Sequence, residues 1–152
     1  MRQRSRSIAL VCVALLCAAA HAAGQQAAPL SPHQAYKGLD ISVGGVSRAV
    51  NVSLTDCPSG ANIVRGVIRP GDVSEFASVS IDVRVLPAFK PGMLPKPVLH
   101  DDTGKTYTTA QAFGDVSASS SFSCTFAFRV PKGTKVTKFV LDTVSFDLAA
   151  LQ

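Results

Sequence analysis

The chain has 152 residues, with 15 Lys and Arg against 10 Asp and Glu, and no tryptophan. Three of the basic residues, Arg2, Arg4 and Arg6, sit at the extreme N-terminus, which leaves 12 basic against 10 acidic over the rest. No basic run survives there, so a nucleic-acid-binding role, which needs a clustered basic face, is excluded.

The three arginines precede the apolar run IALVCVALLCAAA, Ile8 to Ala20, which is 13 residues long; a spanning helix needs about 20. A basic head, a short apolar middle and small residues after it define a secretory signal peptide. Ala20-His21-Ala22 places the cleavage after Ala22, so residues 1–22 are read as leader and the mature product as periplasmic or secreted, without a membrane span. Lipoprotein processing at Cys17 is disfavoured by the bulky Leu16 before it. Cys12 and Cys17 leave with the leader, and the remaining pair, Cys57 and Cys124, is expected to form a disulfide in an oxidising compartment.

Residues 23–37, AGQQAAPLSPHQAYK, show no periodicity and are read as a flexible lead-in to a domain over 38–152. Leu39 to Val43 opens the strand signals. RAVNVSL then alternates Val50, Val52 and Leu54 with polar or small residues, and Ile63 to Ile68 is a shorter candidate. Cys57 is out of step with that alternation and precedes Pro58, which places it at a strand end. In ASVSIDVRVL, Val79, Ile81, Val83 and Val85 alternate with Ser80, Asp82 and Arg84. Pro97 to His100 and Lys105 to Thr108 follow. SFSCTFAFRV puts Phe122, Cys124, Phe126, Phe128 and Val130 on one face. KFVLDTVSFDL changes phase between Leu141 and Val144, which suggests a β-bulge. Period-two segments bounded by Gly, Pro and Asp predict an immunoglobulin-like β-sandwich of about seven to eight strands. Its cystine would fasten a loop, since Cys57 does not share the core face.

The stretch PVLHDDTGKTY contains Gly104-Lys105-Thr106, the last three positions of a phosphate-binding loop. That loop also requires a glycine five positions earlier, where Leu99 stands. Asp102-Thr103-Gly104 instead suits a hairpin, with an aspartate capping the turn and glycine taking positive φ. His100, Asp101 and Asp102 could supply a base or cation ligands, with Asp115 as a further oxygen donor. A position at an exposed hairpin mouth argues against the rigid placement catalysis needs. In LPAFKPGMLPKP, four prolines space out Phe89, Met93 and Leu94. These either form an apolar patch for a partner or fold back over the end of the sandwich.

The valine-rich strand Val79 to Val85, the hairpin residues Leu99, Asp101, Asp102, Gly104 and Tyr107, and the ending Phe128, Val130, Pro131 and Lys132 together resemble a family of exported bacterial immunoglobulin-like domains of unknown function. That family is related to the secreted mycobacterial immunoprotective antigens. The resemblance runs from about Val79 to Leu148, and the proline-rich segment is extra to it. It implies a sandwich fold and an exported, non-enzymatic interaction role, and supplies no catalytic residues.

The expectation is therefore a binding domain with no cofactor. It would contact an envelope or extracellular protein through Phe89, Met93, Leu94 and the hairpin near His100. The alternatives are a secreted inhibitor of a hydrolase and a divalent-cation module at His100, Asp101 and Asp102.

Overall fold

The computed structural model describes residues 33–58 and 63–152; the predicted leader, Cys12, Cys17 and most of the lead-in lie outside the described residues. The described chain is all-β. Its ten strands are β1 Gln34–Tyr36, β2 Leu39–Ala49, β3 Asn51–Thr55, β4 Ile63–Val67, β5 Ser74–Val85, β6 Val98–Asp101, β7 Thr106–Thr108, β8 Ser121–Pro131, β9 Val136–Leu141 and β10 Val144–Asp147. They form two four-stranded sheets, ordered β1-β2-β5-β8 and β10-β9-β6-β7, and a two-stranded ribbon, β3-β4. Every pairing between these strands is antiparallel.

Alternation decides what fills the space between the sheets. Val79, Ile81 and Val83 of β5 and Phe126, Phe128 and Val130 of β8 are all buried, and so are Leu99, Phe139, Leu141 and Phe146 from the opposite sheet. Phe139 is central: its ring lies 6.2 Å from Phe126, 6.2 Å from Phe128 and 6.1 Å from Phe146. Truncating such a fully buried ring costs about 3–5 kcal/mol, because transfer and cavity terms add.

Three expectations are corrected. The lead-in ends earlier than Lys37, because Gln34–Tyr36 already pairs with Leu39–Ile41. The phase change in KFVLDTVSFDL is a two-residue turn and not a bulge: Leu141 faces Val144 across it, and Asp142 takes φ +52°. These two changes raise the strand number from about eight to ten. RAVNVSL is also not one strand; it breaks at Val50, where β2 ends and the ribbon begins.

The ribbon lies on the outer face of the first sheet. Val52 and Leu54 pack against Ile68, Phe76 and Ala127 in a second, smaller apolar cluster. Gly66 allows that approach, since a Cβ there would fall 2.8 Å from the Phe76 ring and 3.0 Å from Val52. The Cys57–Cys124 disulfide, Cα atoms 5.7 Å apart, fastens the foot of the ribbon to β8. The cystine thus pins a loop to the sheet, as the phase of Cys57 indicates.

Candidate interaction surface

The turn chemistry of the β6–β7 hairpin follows the sequence in outline, with a change of residue. Asp101, not Asp102, caps the turn. Its Oδ1 accepts from the Thr103 N–H at 2.9 Å, the Thr103 hydroxyl at 2.7 Å and the Lys105 N–H at 2.9 Å. Tyr107 donates its hydroxyl to Asp101 Oδ2 at 2.8 Å. The Thr103 hydroxyl leads the causes that hold the Asp101 carboxyl at about 2. Gly104 has φ +84°, as the turn requires. Asp101 is therefore committed to the hairpin.

The other aspartates are engaged elsewhere or exposed. Asp102 is exposed in the turn. Asp115 accepts from the Ser117 N–H at 2.9 Å and the Ser117 hydroxyl at 2.6 Å, which lower its pKa. His100 is half-buried on β6, its Nδ1 3.4 Å from Thr106 Oγ1. Among the described residues no group of three His, Cys, Asp or Glu is placed to hold a metal ion.

The Phe89–Met93–Leu94 patch is not assembled. Leu94 is buried and Phe89 packs half-buried on the main core; Met93 points outward, 96% exposed. The segment folds back over the sandwich because Leu86 N–H donates to Gly38 C=O at 2.9 Å. A Cβ on Gly38 would fall 2.4 Å from Phe89 Cα. A close main-chain approach at Gly38 therefore seats this loop.

The outer face of the first sheet also holds an open cleft of about 460 Å³ beside His33, Asp40, Asp82, Arg84 and Ser123. Asp40 Oδ1 lies 3.0 Å from His33 Nδ1, and Ser123 donates to Asp82.

The edges differ more than the faces. In the β5–β8 ladder Val85 N–H donates to Ser120 C=O, so the odd-numbered residues of β8 turn their main-chain groups away from β5. Gln111, 3% exposed, fills that edge with its amide. Its Nε2 donates to Thr125 C=O and Thr55 C=O, and its Oε1 accepts from Ala127 N–H, all at 2.7 Å. No pattern in TTAQAFG announces this role; a lone glutamine carries no periodic signal.

The outer edge of β4 has no such cover among the described residues. Ile68 N–H donates to Val50 C=O at 2.8 Å, so the main-chain groups of Val64 and Gly66 face β3 while those of Arg65 and Val67 face outward. Val64 and Val67 are each 61% exposed. An unpaired edge bearing exposed β-branched residues is a template for another strand. Sequence reasoning identified the strand but had no means to see that its far side stays open.

No protein family, curated protein or solved structure is matched by this chain. No helix among the described residues is long and apolar enough to cross a membrane.

Proposed function

We propose that this chain is an exported immunoglobulin-like domain that works by binding, and that it takes its partner as an added strand on the outer edge of β4. The observation that carries the reading is that edge: outward main-chain groups at Arg65 and Val67, flanked by valines 61% exposed. Main-chain hydrogen bonds would supply affinity and alternate side chains selectivity. Covering each valine contributes about 1 kcal/mol.

The immunoglobulin-like assignment is supported by strand order. β2, β5 and β8 in one sheet and β10, β9 and β6 in the other follow the A-B-E and G-F-C arrangement of that fold, with β7 beyond β6. Export is supported by the basic, apolar and small-residue segments of the first 22 residues, and by a cystine that suits an oxidising compartment.

Val67→Pro tests the binding edge, because the N–H it deletes points away from β3 and proline is tolerated on an edge. Affinity capture with the folded wild-type domain and with this variant is expected to lose the partner in the variant. Retention of the same proteins by both would place binding elsewhere.

A further inference from the structure

Building on that reading, we infer that the strand β4 accepts is acidic: an extended segment with carboxylates two positions either side of an apolar residue. Arg65 and Val67 line one hollow beside the ribbon, and Val67 lines a second with Arg69, Asp72 and Arg129. Val67 therefore stands between two guanidinium groups. Among the described residues Arg65 and Arg69 carry no ion pair, whereas Arg129 is already paired with Asp72. That pair is a carboxylate held by an arginine in the same hollow.

Residues directly opposite in a ladder share a face, so a strand seated on Arg65 and Val67 places its own alternate side chains against Arg65, Val67 and Arg69. Carboxylates opposite the arginines and an apolar side chain opposite Val67 satisfy all three.

The same geometry disfavours a second copy. Outward main-chain groups lie on odd-numbered residues, so symmetric antiparallel pairing of β4 with itself must be centred on Val64, Arg65, Gly66 or Val67. Each of these centres sets Arg65 opposite or diagonal to an arginine of the copy, and like charges so placed repel.

The test uses the mature domain labelled with ¹⁵N and two capped peptides, TETVTET and TKTVTKT, titrated to millimolar concentration while amide resonances are followed. The acidic peptide is expected to move the Arg65 and Val67 amides and to bind about tenfold more tightly than the basic one. Arg65→Glu with Arg69→Glu, both exposed positions, should invert that preference. Equal binding of the two peptides would overturn the acidic partner and leave strand addition standing. No movement of β4 amides with either peptide would overturn both. The same amides moving on concentration of the protein alone would assign the edge to a second copy and overturn the acidic partner.

Discussion

Gln111→Leu removes the amide that closes β8 while keeping a side chain of similar reach in a site only 3% exposed. Three main-chain groups then lose their partner: Thr55 C=O, Thr125 C=O and Ala127 N–H. Thr125 is exposed and Thr55 half-buried, so water replaces much of what they lose, and each costs about 1 kcal/mol. Ala127 is 4% exposed beneath the ribbon, so its orphaned N–H costs about 2 kcal/mol. The added apolar contact of leucine offsets about 1 kcal/mol. The net loss is about 3 kcal/mol. At a slope of about 1.5 kcal/mol per molar urea, this lowers the unfolding midpoint by about 2 M.

Urea unfolding followed by circular dichroism measures that shift, and amide exchange supplies a local readout. The Ala127 amide should exchange slowly in the wild type and fast in Gln111→Leu. A midpoint within about 0.5 M of wild type, with Ala127 still protected, would show that the glutamine does not hold this edge.

Replacing Cys57 and Cys124 by alanine opens a loop with a sequence separation of 67 residues and should destabilise the domain by about 4 kcal/mol on the chain-entropy account; a loss below about 1 kcal/mol in urea unfolding would contradict it. Asp101 has a folded value of about 2 against an ordinary 3.8, so its contribution is complete above the ordinary value and fades as pH falls toward 2. The stability gap between wild type and Asp101→Asn should therefore narrow over that window; a constant gap would mean the carboxylate is not what the turn requires. Mass measurement of the unreduced exported product should give a chain beginning at Ala23 with no free thiol, and a product retaining the first 22 residues would refute the leader reading.

The parts of the fold legible in the sequence are those where one face is buried and the other is not. SFSCTFAFRV and ASVSIDVRVL read as strands because β8 and β5 turn alternate apolar residues to the core; the burial alternation breaks only where the ribbon covers the outer face, at Phe76 to Ser78 and Ala127. QAY escapes notice because three residues show no period. β1 is held instead by cross-sheet bonds, Gln34 Nε2 to Ser145 C=O at 2.5 Å and the Tyr36 hydroxyl to Asp142 at 2.8 Å. A bulge and a two-residue turn both shift hydrophobic phase by one, so LDTV alone could not distinguish them. Leu94 and Met93 look alike in a proline-rich segment, although one is covered and the other is not. The open edge of β4 is least legible, since an edge is defined by a neighbour that is missing.

The treatment of the remaining edges gives the open one its meaning. β8 is filled by the Gln111 amide and flanked by the cystine. β1 is tied to β10 by Gln34 and to the turn before it by Tyr36, and β7 is only three residues long. Short strands, covered edges and charged side chains are the usual defences against unwanted pairing, and among the described residues β4 has no cover and relies on the exposed Arg65 and Arg69 beside its exposed valines. Its arginines discourage self-association without closing the edge to an acidic strand. The cystine at the foot of the ribbon limits how far β4 can swing from the Phe76 cluster, so on the proposed reading an added strand would meet an edge already in place and less ordering cost would fall on binding. Reduction of Cys57–Cys124 should then weaken peptide binding at β4 even where the two sheets stay folded. That outcome would tie the proposed recognition edge to the compartment in which the bond forms, and unchanged affinity in the reduced, folded domain would sever that link.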